Sequence, residues 1–294
     1  MAPVPDYLEG AVDLHVHSAP DIDPRRFDDI DLAREAARAG LGAVLIKSHQ
    51  NSTVERAWLV SKVVPGIQVF GGLVLNETVG GLNPVAVRLA LALGAKQIWM
   101  PTRSARNHRR HHGQPGGLSV FGADETLLPA VGEILRAVAE ADCILGTGHL
   151  SPEEVTVLVR QARAVGVRKI LVTHPEWAPT YYSAAAQKEL AAAGGVLFER
   201  CFVSTTHLCG CVPFATIERA IAEVGVETTV LSTDLGQPNT PAPVEGMRLY
   251  ARQLRSAGFS ADQLRQMMRT NPRRLLSLAG EEENGLVTVR GMSP

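Results

Sequence analysis

Eight short apolar, β-prone runs recur along this chain, each followed by a stretch of helical character, at intervals of about 25–45 residues. They are Val12–Val16, Ala43–Lys47, Gln68–Leu75, Gln97–Met100, Cys143–Gly146, Lys169–Thr173, Val196–Glu199 and Thr229–Ser232. Most are continuous, as in Ala43-Val-Leu-Ile46 and Ile170-Leu-Val172, which predicts strands covered on both faces. Parallel strands need a crossover connection, and the intervening helices supply it. Eight such units predict an α/β chain closed into a (β/α)8 TIM barrel, with distortion tolerated; an open doubly wound sheet is the alternative.

Helix punctuation supports the same parsing. Ser151-Pro-Glu-Glu154 reads as a capping box with proline at the first helical position, and Ser260-Ala-Asp-Gln263 repeats the device. Asn83-Pro84 and Asn271-Pro272 each predict a helix start, so extra helices are expected after the eighth strand. Gly285–Arg290 could add a short strand outside the barrel. No low-complexity linker interrupts the sequence, which predicts one domain over 1–294.

Composition narrows the functional class. The 294 residues hold 29 Lys+Arg against 30 Asp+Glu, a net charge of −1, with 45% hydrophobic residues, the profile of a globular chain. That balance argues against a nucleic-acid surface, and no run reaches the ~18 apolar residues of a membrane span. The N-terminal residues have neither a basic start nor an apolar run, so a cytoplasmic location is expected. Four cysteines make no disulfide framework, and Cys201, Cys209 and Cys211 read as reduced packing thiols.

In parallel α/β folds, chemistry collects at the carboxyl ends of the strands. The first strand ends in Asp13-Leu-His15-Val-His17, whose two histidines at i and i+2 point to one side. The fifth unit ends at His149, the sixth at His174 and the eighth at Asp234. Neutral imidazoles and a carboxylate converging from four such addresses are what a metal ion requires.

Those residues resemble the amidohydrolase superfamily pattern, and the resemblance spans almost the whole chain, down to Asn271-Pro-Arg-Arg-Leu-Leu276. It implies a metal-dependent hydrolase in which His15, His17, His149 and His174 ligate one or two divalent ions, zinc first, with manganese or iron as alternatives. It implies Asp234 as metal contact and general base. The expected substrate is a small molecule with an amide, lactone or related carboxyl-derived bond. Whether the chain forms a homo-oligomer is left open.

Two-metal members usually carry a lysine, modified to a carbamate, or a glutamate at the end of strand four. Strand four here reads Gln97-Ile-Trp-Met-Pro-Thr-Arg103, without either. Lys47 and Glu77 are the candidates to replace it. A lysine ending an apolar strand is costly to bury unless paired, modified or metal-bound. The segment through Lys47-Ser-His49 also resembles the PHP phosphoesterases, which would add His49 and Glu77 to the ligands. That match lacks an Asp before His49 and a final Asp-x-His. Further alternatives are a decarboxylase or a binding protein on the same barrel. The run 103–112, rich in arginine and histidine, follows strand four; Arg103, with His49, is expected to contact substrate, and the arginines favour one bearing an acidic group.

Overall fold

The computed structural model describes residues 7–123, 126–192 and 194–278. Each apolar run forms a strand: β1 (Val12–Val16), β2 (Ala43–Ile46), β3 (Gln68–Val74), β4 (Gln97–Trp99), β5 (Ile144–Gly146), β6 (Ile170–Thr173), β7 (Val196–Cys201) and β8 (Thr229–Ser232). They lie side by side in chain order, every sequential pair parallel. The segment after β8 returns to β1: Asp234 N donates to His15 O at 2.7 Å and His17 N to Leu235 O at 2.8 Å. The sheet thus curls into a (β/α)8 barrel, and the open-sheet alternative is excluded.

The helices that cross between strands are α1 (Asp29–Arg38), α2 (Val54–Val63), α3 (Pro84–Ala92), α4 (Arg106–His111), α5 (Pro129–Glu140), α6 (Pro152–Ala164), α7 (Ala184–Ala192) and α8 (Phe214–Val224). The Ser151 and Ser260 capping boxes form as expected, and Asn83 caps α3. Among the described residues no helix is long and apolar enough to cross a membrane.

After β8 come α9 (Pro243–Ser256), α10 (Ala261–Arg265) and α11 (Asn271–Leu275), the last two joined by a π-helical turn, Gln266–Thr270. α11 begins at Asn271 as expected from the sequence, but it continues the π-helical turn, and the Asn271 side chain does not cap it. Its amide instead donates to Val226 O at 2.7 Å and Thr229 O at 2.6 Å, at the foot of β8. The widened turn lets the helix run on through Pro272, which has no N–H to give. Leu275 and Leu276 close the base of the barrel, packing with its interior layer. The expected strand at 285–290 lies outside the described residues.

That interior layer draws Val12, Ala43, Val74, Trp99, Ile144, Leu171, Leu197 and Val230 from all eight strands, and separate clusters pack strands against helices. Trp99 fits because its neighbours give way. A Cβ on Gly72 would lie 2.7 Å from Trp99 Cζ3, and one on Gly146 2.5 Å from Trp99 Cδ1. Overpacking of this kind costs roughly 1–3 kcal/mol. Gly146→Ala is accordingly expected to lower unfolding stability by about that amount in urea titrations, and adding Trp99→Leu should recover part of the loss.

Candidate metal centre

Along a strand every second side chain shares a face, so the interior layer indicates what stands above it. Two residues beyond Leu45 is Lys47; beyond Leu197 come Glu199 and then Cys201; beyond Val230 come Ser232 and Asp234. β1 needs a correction to this period. Val12 and Leu14 face inward, and strict alternation would turn His15 and His17 out towards the helices. Pairing with β2 slips by one residue between Asp13 and Val16, and this bulge turns both histidines into the barrel mouth.

The side chains meet at short range. His15 Nε2 lies 3.0 Å and His17 Nε2 2.9 Å from Asp234 Oδ1, and His174 Nε2 lies 3.2 Å from Oδ2. Lys47 Nζ is 2.9 Å from His15 Nε2. Asp234 (φ 52°) and His174 (φ 53°) are both left-handed, a conformation that costs non-glycine residues energy and clusters at functional sites. Of the histidines and acids at the centre, only Asp234 shows appreciable exposure, at 13% of its side chain.

Glu199 is a site residue missed in the sequence. Its Oε2 lies 3.1 Å from His15 Nδ1 while Ser232 Oγ donates to Oε1 at 3.0 Å. The signal was an acid on the inner face of the apolar strand Val196-Leu-Phe-Glu199. Glu199 takes the Nδ1 proton of His15 and leaves the Nε2 lone pair directed at Asp234. In a neutral ring that sets lone pair against carboxylate, an arrangement that calls for positive charge between them. Acids that orient a ligating imidazole in this way are common around metals.

The electrostatics fit a cation. Burial lowers His17 to about 3, and it lowers His149, His174 and His49 as well, keeping these rings in the neutral, ligating form. For His15 burial is outweighed by Asp234 and Glu199, which raise it. Burial alone would raise Asp234, but His15 and the three imidazole contacts hold it well below the usual carboxylate range. Lys47 is lowered by burial, only partly offset by Asp234 and Glu199. His15, His174, Cys201 and Asp234 offer donor atoms all within 4.8 Å of one another, so Cys201, expected only to pack, stands at the centre. Its Sγ is 3.7 Å from His15 Nδ1.

The other expected residues surround this core. His149 lies beside it, its ring 5.7 Å from that of His174 and its Nδ1 3.0 Å from His108 Nδ1. His49 stacks on His17 at 5.0 Å. Asn76 Oδ1 accepts from Thr102 N and Ser104 N, so its amide nitrogen donates to Thr102 Oγ1 at 2.8 Å. The Thr102 hydroxyl is then left to donate to His49 Nδ1 at 2.9 Å, which places the ring proton on Nε2. Arg103 pairs with Asp23 at 2.6 Å at the rim. Glu77 is half exposed and bound to Arg109 at 2.6 Å, apart from the buried histidines that a phosphoesterase site would require it to join.

Beside the core opens a cavity of about 720 Å³, lined by Trp177, Tyr181, Leu208 and Val212 with His111 and His112. Trp177 connects the two, standing edge-on to His149 at 5.1 Å and to His174 at 5.7 Å.

Comparison with solved structures finds the same barrel elsewhere. A candidate 2-pyrone-4,6-dicarboxylic acid hydrolase from Pseudomonas putida superposes with a TM-score of 0.62 at 18% identity, covering 92% of this chain and 99% of the other. An amidohydrolase from Pseudomonas aeruginosa gives 0.62 at 12% identity, covering 92% and 96%. A mutant organophosphorus hydrolase from Deinococcus radiodurans gives 0.57 at 17% identity, covering 93% and 95%. At these identities the likeness is one of fold. No curated protein matches the sequence. The family of unknown function DUF6282 matches residues 10–199, a span that begins just before β1 and ends at the newly placed Glu199, and the chain belongs to that family.

Proposed function

We propose that this protein is a metal-dependent hydrolase acting on an amide, lactone or related carboxyl-derived bond of a small molecule. The observation that carries the reading is the meeting of three imidazole Nε2 atoms on the Asp234 carboxylate, 2.9–3.2 Å away, at the mouth of a barrel beside an open cavity. His15, His17, His174 and Asp234 would hold a divalent cation, zinc first, with His149, Cys201 and Lys47 at hand for a second ion or a bridging carbamate. Such a cation supplies Lewis acidity and a water of lowered pKa.

The protein's own groups do the rest. Glu199 and Ser232 fix the His15 ring. Asp234 is kept ionised by its imidazole contacts, and once a bound cation draws those imidazoles away it would take the water's proton and pass it to the leaving group. His49, with its proton on Nε2, is a neutral donor suited to a developing oxyanion. Arg103 can exchange Asp23 for an acidic group on the substrate. Trp177 and the apolar side chains beyond it line the open cavity beside the site and would receive the apolar part of a substrate.

Purified protein should carry about one or two equivalents of divalent metal, and the pair His15→Ala with His17→Ala should lose it; full retention by that variant would remove the ligand set. Glu199→Gln should weaken metal binding about 10–100-fold in chelator competition while leaving the circular dichroism spectrum intact. Asp234→Asn should remain folded yet lose at least about 100-fold in turnover across a panel of lactones, amides and esters. Unchanged turnover in that variant would reject the base, and carbon dioxide release without a hydrolysis product would redirect the reading to decarboxylation. Lys47→Ala should lower activity, and bicarbonate-dependent reactivation of metal-stripped wild-type protein would mark a carbamate at Lys47.

A further inference from the structure

Far along the chain from Asp234, α2 and α3 carry six of the eleven large apolar side chains that stand exposed among the described residues. These are Trp58, Leu59, Val63, Val85, Leu89 and Leu93, between 48% and 66% exposed. They are not needed to hold the helices down: α2 packs on the barrel through Val54, Ala57 and Val60, and α3 through Val87 and Ala90. Between the two helices runs an open groove of about 510 Å³, lined by Trp58, Leu59 and Leu93.

The order of residues on the outer face of α2 matters. Glu55, Trp58, Leu59 and Lys62 are spaced i, i+3, i+4 and i+7, so they form one stripe with an acid at its start, apolar bulk in the middle and a base at its end. Read in reverse, the stripe is its own complement. We propose that this face is the interface of a symmetric dimer of the chain, with α2 packed antiparallel against α2 of a second copy. A two-fold axis passing between Trp58 and Leu59 places the apolar pairs together. It also sets Glu55 against Lys62 of the second copy at both ends, as an isologous contact demands. Lys62 Nζ lies 4.9 Å from the Trp58 ring centroid, a cation–π contact that keeps the base beside the apolar pair. The groove gives the second copy's Trp58 a place to bury.

The size fits. The six side chains leave on the order of 600 Å² bare per copy, at the upper end of what isolated proteins expose in one patch. With a polar rim this approaches the ~800 Å² per partner of a standard stable interface.

The test is sedimentation of the full chain from nanomolar to high micromolar concentration. The expected species has twice the mass of one chain. Leu59→Glu should raise the dimer dissociation constant about 100-fold or more, because a carboxylate would then be buried at the centre of the contact. Glu55→Lys or Lys62→Glu alone should raise it about tenfold, and the two together should restore it to within about threefold. Circular dichroism checks that each variant is folded; should Leu59→Glu fail to fold, the charge exchange carries the test. A single-chain mass throughout, or a dimer indifferent to folded Leu59→Glu, overturns the interface. Failure of the double exchange to rescue the single ones overturns the antiparallel pairing.

Discussion

The hydrogen bonds that close the barrel also assemble the site. Asp234 N donates to His15 O, His17 N to Leu235 O, and Thr233 N to the Asp13 carboxylate at 3.0 Å. Asp13 is buried among these partners, its pKa pushed up to about 6 by burial despite the bonds from Thr233. The contacts pin residues more than 200 positions apart in sequence, and they fix the height at which the Asp234 carboxylate meets the two histidines. Any slip of β8 against β1 would move Asp234 by a strand residue, about 3.3 Å, enough to break its 2.9–3.2 Å contacts with the imidazoles. Barrel closure and donor convergence are therefore one geometric event.

Charge explains why this arrangement calls for a cation. Asp234 and Glu199 bring two carboxylates to the centre, Asp234 touching the Nε2 atoms of His15, His17 and His174 and Glu199 touching His15 Nδ1 and the Ser232 hydroxyl. The nearby base is Lys47, and burial weighs against its ammonium form. The imidazoles of His17 and His174 are likewise driven towards neutrality. Positive charge is in deficit where negative charge is buried, and uncompensated buried charge costs several kcal/mol. The two carboxylates favour the charged form of His15, which is the protein's own partial answer. A divalent ion is a more complete one, since it draws on the same lone pairs that otherwise face each other.

Much of this was legible in the sequence because strands and strand ends obey local rules. All eight runs became strands, and the polar residues expected at their carboxyl ends stand around one mouth. What escaped reading depended on partners chosen in three dimensions. Residues i and i+2 share a side, but which side His15 and His17 take is set by a bulge against β2. Glu199 lay at the end of the expected run but its partner, the His15 ring, is 184 residues away, and Cys201 lies in a strand that runs two residues further than expected. Asn271 looked like a helix cap, yet its amide is taken by the foot of β8, and the helix widens to pass it. Local propensity marks where such residues sit, while tertiary hydrogen bonding decides what they do.

The basic run after β4 shows how magnitude separates residues of the same type. As a sequence it reads as a run of cations that favours an acidic substrate, but several of its guanidinium groups are already engaged: Arg103 with Asp23, Arg109 with Glu77 and Arg110 with the Asn107 side chain. The loop before α1 repeats the pattern with Arg25 on Asp21. This internal pairing mutes long-range attraction for an anion, so any such ligand would have to exchange with a carboxylate partner already in place. The side chains of Arg25 and Asp21 are covered, and breaking a buried pair leaves a charge stranded at a cost of about 3–5 kcal/mol. Arg103 is 45% exposed and Asp23 34%, a surface pair worth only about 0–1 kcal/mol. The Arg103 guanidinium is also close enough for its charge to lower Lys47 and His49. Among the arginines at the mouth it combines a cheaply exchanged partner with reach to the centre, and so, on the proposed function, it is the group suited to receive an acidic substituent.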